Sequence, residues 1–151
     1  MKASEFKHVL EEAFQRAGFR KSASCLSYVG NDVTVLVNLQ KVEYSSQIFV
    51  NVGFWLHLLA DTVPKRVERT HMYFRLENLH PAYRNVILAA GDLGAEDQKQ
   101  GLQRLLFVLG SEIVPDIVHL ADQSAILAAF KNGRLQRGFI RKDAKEFLTK
   151  Q

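Results

Sequence analysis

Three amides, Asn38, Gln40 and Asn51, interrupt apolar runs within Val33–Leu58, a stretch whose side chains otherwise alternate with the two-residue period of a strand. If two strands pair here across a short turn, that period puts all three amides on one sheet face, with Trp55 and His57 beside them. An amide donates and accepts at once, an indole offers a flat stacking surface, and an imidazole offers charge. Such a set suits the orientation of a bound ligand or partner. Arg75, in a later strand-like segment, would add a fork of donors if that segment joins the same sheet. The competing reading is internal, since amides on a covered sheet also tie down loop or helix backbone.

Other chemistries find little footing. The five histidines, His8, His57, His71, His80 and His119, are scattered, and no pair shares a helical turn beside a carboxylate, so no metal site is expected. Neither the phosphate-loop spacing nor the dinucleotide glycine pattern occurs, and Ser111 lacks the flanking glycines of a nucleophile elbow. No catalytic residue and no cofactor is assigned. Cys25 is the single cysteine, without a partner for a disulfide, and reads as a packing residue.

The net charge of +4 lies at the end of the chain. Residues 1–133 carry 14 Lys/Arg against 14 Asp/Glu, whereas Arg134, Arg137, Arg141, Lys142, Lys145 and Lys150 face only Asp143 and Glu146. This basic segment makes nucleic-acid binding an alternative reading, although it also serves plain solubility.

The elements that must position these residues follow from periodicity. With 47% apolar and 24% charged residues, 151 residues suit one globular domain, able to bury roughly 70% of its unfolded surface. Phe6, Leu10 and Phe14 form the stripe of a first helix, with Ser4 as its expected cap, Gly18 as its stop and Phe19 folding back. Ser24–Val29 predicts a short strand, turned at Gly30-Asn31-Asp32. Val33, Val35, Val37 and Leu39 predict the core face of the next strand, and Ile48, Val50, Val52, Phe54 and Leu56 that of the third. A turn centred on Tyr44 and Ser45 would set Asn38 opposite Asn51, Gln40 opposite Phe49, Leu36 opposite Gly53 and Thr34 opposite Trp55.

Thr62–Thr70, with Pro64 and four charges, reads as an exposed connection, and Met72–Leu79 as a fourth strand. Tyr83–Ala90 suits either a strand or a short buried helix. Helices follow from Asp92–Asp97 onward, with a break or kink at Pro115, a further helix from Asp116 to Lys131 stopped at Asn132-Gly133, and an amphipathic helix around Ile140, Ala144, Phe147 and Leu148. The predicted fold is α+β, an antiparallel sheet of about four strands against an N-terminal helix and C-terminal helices.

The segments carrying Gly18-Phe19-Arg20-Lys21, Asn38-Leu39-Gln40 and Asn51-Val52-Gly53 together resemble the bacterial domain-of-unknown-function family 4304. Arg20 stands where lysine is frequent, and the likeness is clearest over the first 60 or so residues. The resemblance implies a small bacterial cytosolic domain and brings no reaction, cofactor or catalytic residue with it. The apolar runs are far shorter than the ~20 residues of a membrane span, and the charged N-terminus lacks a signal-peptide core, so a cytoplasmic protein is expected. The functional expectation is a non-catalytic binding module for a protein partner, in the manner of immunity or antitoxin proteins, with an enzyme or small-ligand binder on the same strand face as the alternative.

Overall fold

A computed structural model describes residues 1–151. Helix α1 spans Ala3–Arg16 and buries Phe6, Leu10 and Phe14, which recur every four residues and so share one face. Its cap position is Lys2, with no side chain bonded there; Ser4 lies within the first turn, so the expected serine cap is not formed. Its end is as read from the sequence. Gly18 takes the left-handed conformation at φ 102°, the Phe19 amide donates to the Phe14 carbonyl at 3.2 Å, and the two rings meet edge to face at 5.1 Å.

Six strands follow one another across a single antiparallel sheet in chain order: β1 Arg20–Ser22, β2 Cys25–Val29, β3 Val33–Lys41, β4 Ile48–Leu56, β5 Met72–Arg75 and β6 Phe139–Ile140. Two strands exceed the four expected. β1 is fully exposed and polar, and β6 has only two residues, so neither carries an apolar alternation that a sequence pattern can register. The central register is the predicted one, with Asn38 opposite Asn51, Gln40 opposite Phe49, Leu36 opposite Gly53 and Thr34 opposite Trp55.

β5 is shorter than the Met72–Leu79 strand expected, because the chain turns into a short helix α2 at Leu76–Leu79. The ambiguous Tyr83–Ala90 stretch resolves as helix α3, Arg84–Gly91. Helix α4, Gln98–Val108, passes through a π-helical turn at Leu109–Ile113 into α5, Val114–His119. Pro115 therefore does not break the run; the wider turn just before it accommodates the missing N–H and the bulk of the ring. The single helix expected from Asp116 to Lys131 is interrupted instead at Leu120–Asp122, where the Asp122 carboxylate accepts the Ala125 amide at 3.0 Å and starts α6, Gln123–Lys131. Gly133 ends it at φ 85°, and α7, Lys142–Thr149, buries Ala144 and Leu148, whereas Ile140, expected on that helix, pairs with Met72 in β6 instead.

One face of the sheet joins these helices in a continuous apolar core: Val35, Val37, Val52 and Phe54 meet Phe14 of α1, Leu105 of α4 and Ile117 of α5 among others. The opposite face is divided. Its covered half begins where the connection from Leu59 to His71 lies down on the sheet, which requires Gly53, since a Cβ there would collide with Thr70. Val67 then buries against Cys25 and Leu36, with Val63 and Tyr73 alongside. The expectation of an exposed connection is thus corrected: Val67, Thr70 and His71 are buried, and the exposed charges are only its outer side.

Candidate functional site

Across β3, β4 and β5, Asn38, Asn51 and Arg75 stand in a row on the uncovered half of that second face. Arg75 thus does join the amide face. Asn51 Nδ2 donates to Gln40 Oε1 at 2.9 Å, and the Arg75 guanidinium lies over the Phe49 ring, 3.6 Å from its centroid. Two buried atoms here have no partner, the Asn38 Oδ1 acceptor and the Arg75 Nη1 donor. Four further buried atoms, His71 Nε2, Glu77 Oε1, His80 Nδ1 and Gln98 Oε1, likewise lack a partner elsewhere in the fold, so what sets this pair apart is its place on the uncovered sheet face.

The row floors a cavity of about 760 Å³. One wall is Val67 and Glu68 of the connection; the other is Arg137, Gly138 and Phe139 leading into β6. Gly138 is required where it stands, because a Cβ would meet the Phe74 ring. Phe139, 52% exposed, pairs with Tyr73 across β5 and β6, ring centroids 5.3 Å apart. Phe139 is not among the residues singled out by the sequence, and Arg137 is named there only for the nucleic-acid reading, not for this face. Their only signal is Arg137 in the basic segment, and nothing in the pattern marks a two-residue strand.

Trp55 and His57 do not belong to this groove. Trp55 is 6% exposed, stacked at 3.8 Å on His71, with its indole N–H donating to the Ala60 carbonyl at 2.9 Å. It is therefore part of the seal under the connection and offers no surface for a ligand to stack on, contrary to the expectation. His57 Nε2 lies 2.6 Å from Thr34 Oγ1 at the far end of the sheet. His71 is fully buried; its Nδ1 accepts the Leu56 amide at 2.8 Å, and burial pulls its pKa from 6.5 down to about 4, Asp143 opposing and Arg141 reinforcing the shift.

A second polar cluster ties the helical half together. His80 Nε2 lies 2.7 Å from Asp116 Oδ2, and Arg134 grips both carboxylate oxygens while donating to the Leu79 carbonyl. Burial opposes the Asp116 charge, but bonds from His80 and Arg134 outweigh it and hold the carboxyl well below its ordinary pKa. This clamp joins the end of α2, α5 and the segment after α6; the Asp116 carboxylate is satisfied by His80 and Arg134, while His80 Nδ1 is buried without a partner. Cys25 is buried with its thiol pushed up in pKa by desolvation, as suits a packing residue.

A six-stranded antiparallel sheet, sealed on one face by helices and half open on the other as a polar groove, defines an α+β domain with a single amide-rich surface. Residues 10–102 match the model of a family described as domain of unknown function DUF4304, and the chain belongs to that family. The match spans the floor of the groove and its Val67-Glu68 wall, whereas Arg137 and Phe139 lie beyond it. Neither comparison with curated proteins nor comparison with solved structures finds a match. No helix is long and apolar enough to cross a membrane.

Proposed function

We propose that this protein is a non-catalytic binding module that holds a protein partner in the groove over Asn38, Asn51 and Arg75. The observation carrying the reading is the pair of buried, unpartnered atoms, Asn38 Oδ1 and Arg75 Nη1, on the floor of a cavity of about 760 Å³. The lining contains one carboxylate, Glu68, and no histidine, which supplies groups for recognition and no matched acid and base. A role like that of bacterial immunity or antitoxin proteins fits the same site, and a free buried thiol, Cys25, suits a reducing cytosol.

The nucleic-acid alternative draws less support. Arg134 is held by Asp116, and Arg141 lies 3.1 Å from Asp143 and over Trp55, so part of the basic excess is engaged within the fold. The test is affinity capture from native lysate with the wild-type chain and with an Asn38→Ala, Arg75→Gln double variant, followed by reconstitution with the purified candidate. A partner that binds the wild type and not the variant supports the reading. Equal recovery with both chains, or no specific partner, overturns it.

A further inference from the structure

We propose that the groove receives an extended acidic segment of the partner, with a Glu or Asp carboxylate seated on Arg75 and Arg137; this rests on the binding reading above. Charge is the first argument. The groove's charged side chains are Arg75, Arg137 and Glu68, a balance of one positive charge, which a single carboxylate neutralises. A phosphate chain would bring its further charges against Glu68.

Hydrogen-bonding capacity is the second argument. Arg75 is steadied by Phe49 beneath it and lines the groove, and a guanidinium fork matches a carboxylate in two parallel bonds. Asn38 Oδ1, by contrast, waits for a donor. A free carboxylate has none to give, whereas a peptide backbone presents N–H and C=O groups in alternation beside its acidic side chain. Asn51 donates to Gln40 within the row, and each amide keeps further valences for that backbone.

Shape agrees. The floor runs over β3, β4 and β5, a width of about 10 Å at the usual spacing between strands, which roughly three residues of extended peptide span. Beside the arginines, Tyr73 and Phe139 form an aromatic pair suited to an apolar residue next to the acid. The recognised unit is therefore an acidic residue flanked by an apolar one, in extended conformation.

The experiment is solution binding of the full chain to short labelled peptides with a fixed Glu or Asp, to matched peptides carrying Gln or Asn, to adenosine monophosphate and to a single-stranded oligonucleotide. The acidic peptides bind, the neutral ones about tenfold or more weakly, and Arg75→Gln or Arg137→Gln erases the difference, the melting temperature holding in Arg137→Gln. Exposed Arg137 serves as the variant least able to disturb folding. Neutral peptides binding as well as acidic ones, yet weakened by Asn38→Ala, would overturn the acidic assignment and leave the groove as the site. Preference for the nucleotide or oligonucleotide overturns it as well. Absence of any peptide binding overturns the inference, and partner capture then decides the binding reading separately.

Discussion

The guanidinium carbon of Arg75 lies 3.6 Å from the ring centroid of Phe49, two residues before the Asn51 that Arg75 faces across β4 and β5. The ring thus holds the cation beside the amide row while leaving Nη1 unpaired. Phe49→Ala should release the side chain and weaken acidic-peptide binding several-fold, at a cost to stability of about 0.5–1 kcal/mol from the lost cation–π contact together with whatever apolar contact the ring makes. Parallel binding and urea-unfolding curves check this, and a large loss of stability with unchanged binding would contradict it.

Trp55 has the opposite character. Its indole is covered, stacked on His71 and bonded to Ala60, so Trp55→Ala should destabilise the fold by about 3–5 kcal/mol, as truncation of buried aromatics does. Trp55→Phe keeps a ring and loses the N–H bond, costing about 1–3 kcal/mol. Urea unfolding of both variants reads the difference.

His71 makes stability depend on pH. Its folded pKa of about 4 lies below the ordinary 6.5 because burial disfavours the charged ring; protonation would also remove the acceptor that holds the Leu56 amide. The unfolded chain binds that proton more readily, so its contribution is full above 6.5 and declines as pH falls towards 4, by roughly 2–3 kcal/mol. His71→Asn, which keeps an acceptor in a similar place, should flatten this decline between those limits. Unfolding free energies of both chains across the range provide the check.

Asp116 acts in a lower window. Its folded pKa is depressed below 3.8 by His80 and Arg134, so its stabilising contribution is present above that value and is lost as pH falls further. Asp116→Asn should cost about 2 kcal/mol at neutral pH, at the modest end for a half-buried ion pair whose partners lose their counter-charge. The variant's stability should then fall less steeply than the wild type's in acid, as acid-titration unfolding would show.

Legibility followed the strength of local pattern. Valine alternation and a short turn sufficed to set the β3–β4 register, because a one-residue slip would expose Val35 and Val37. Gly18 with Phe19 likewise announced the end of α1. The cover over Trp55 was hidden because Val67, Thr70 and His71 reach it singly from a charged, proline-containing connection with no period. β1 and β6 carry no periodic apolar pattern, and the second wall of the groove, Arg137 to Phe139, arrives from more than sixty positions beyond Arg75 in the chain. Residue type therefore pointed to Asn38, Gln40, Asn51 and Arg75, while only tertiary placement separated them from Trp55 and His57.

Side-chain NMR of the amide row tests the groove most directly. On titration with an acidic peptide, the side-chain NH2 signals of Asn38, Gln40 and Asn51 should shift together and saturably, while the indole N–H of Trp55, bonded to Ala60 under the connection, stays in place. Shifts confined to other surfaces with the three amides unmoved would contradict the account.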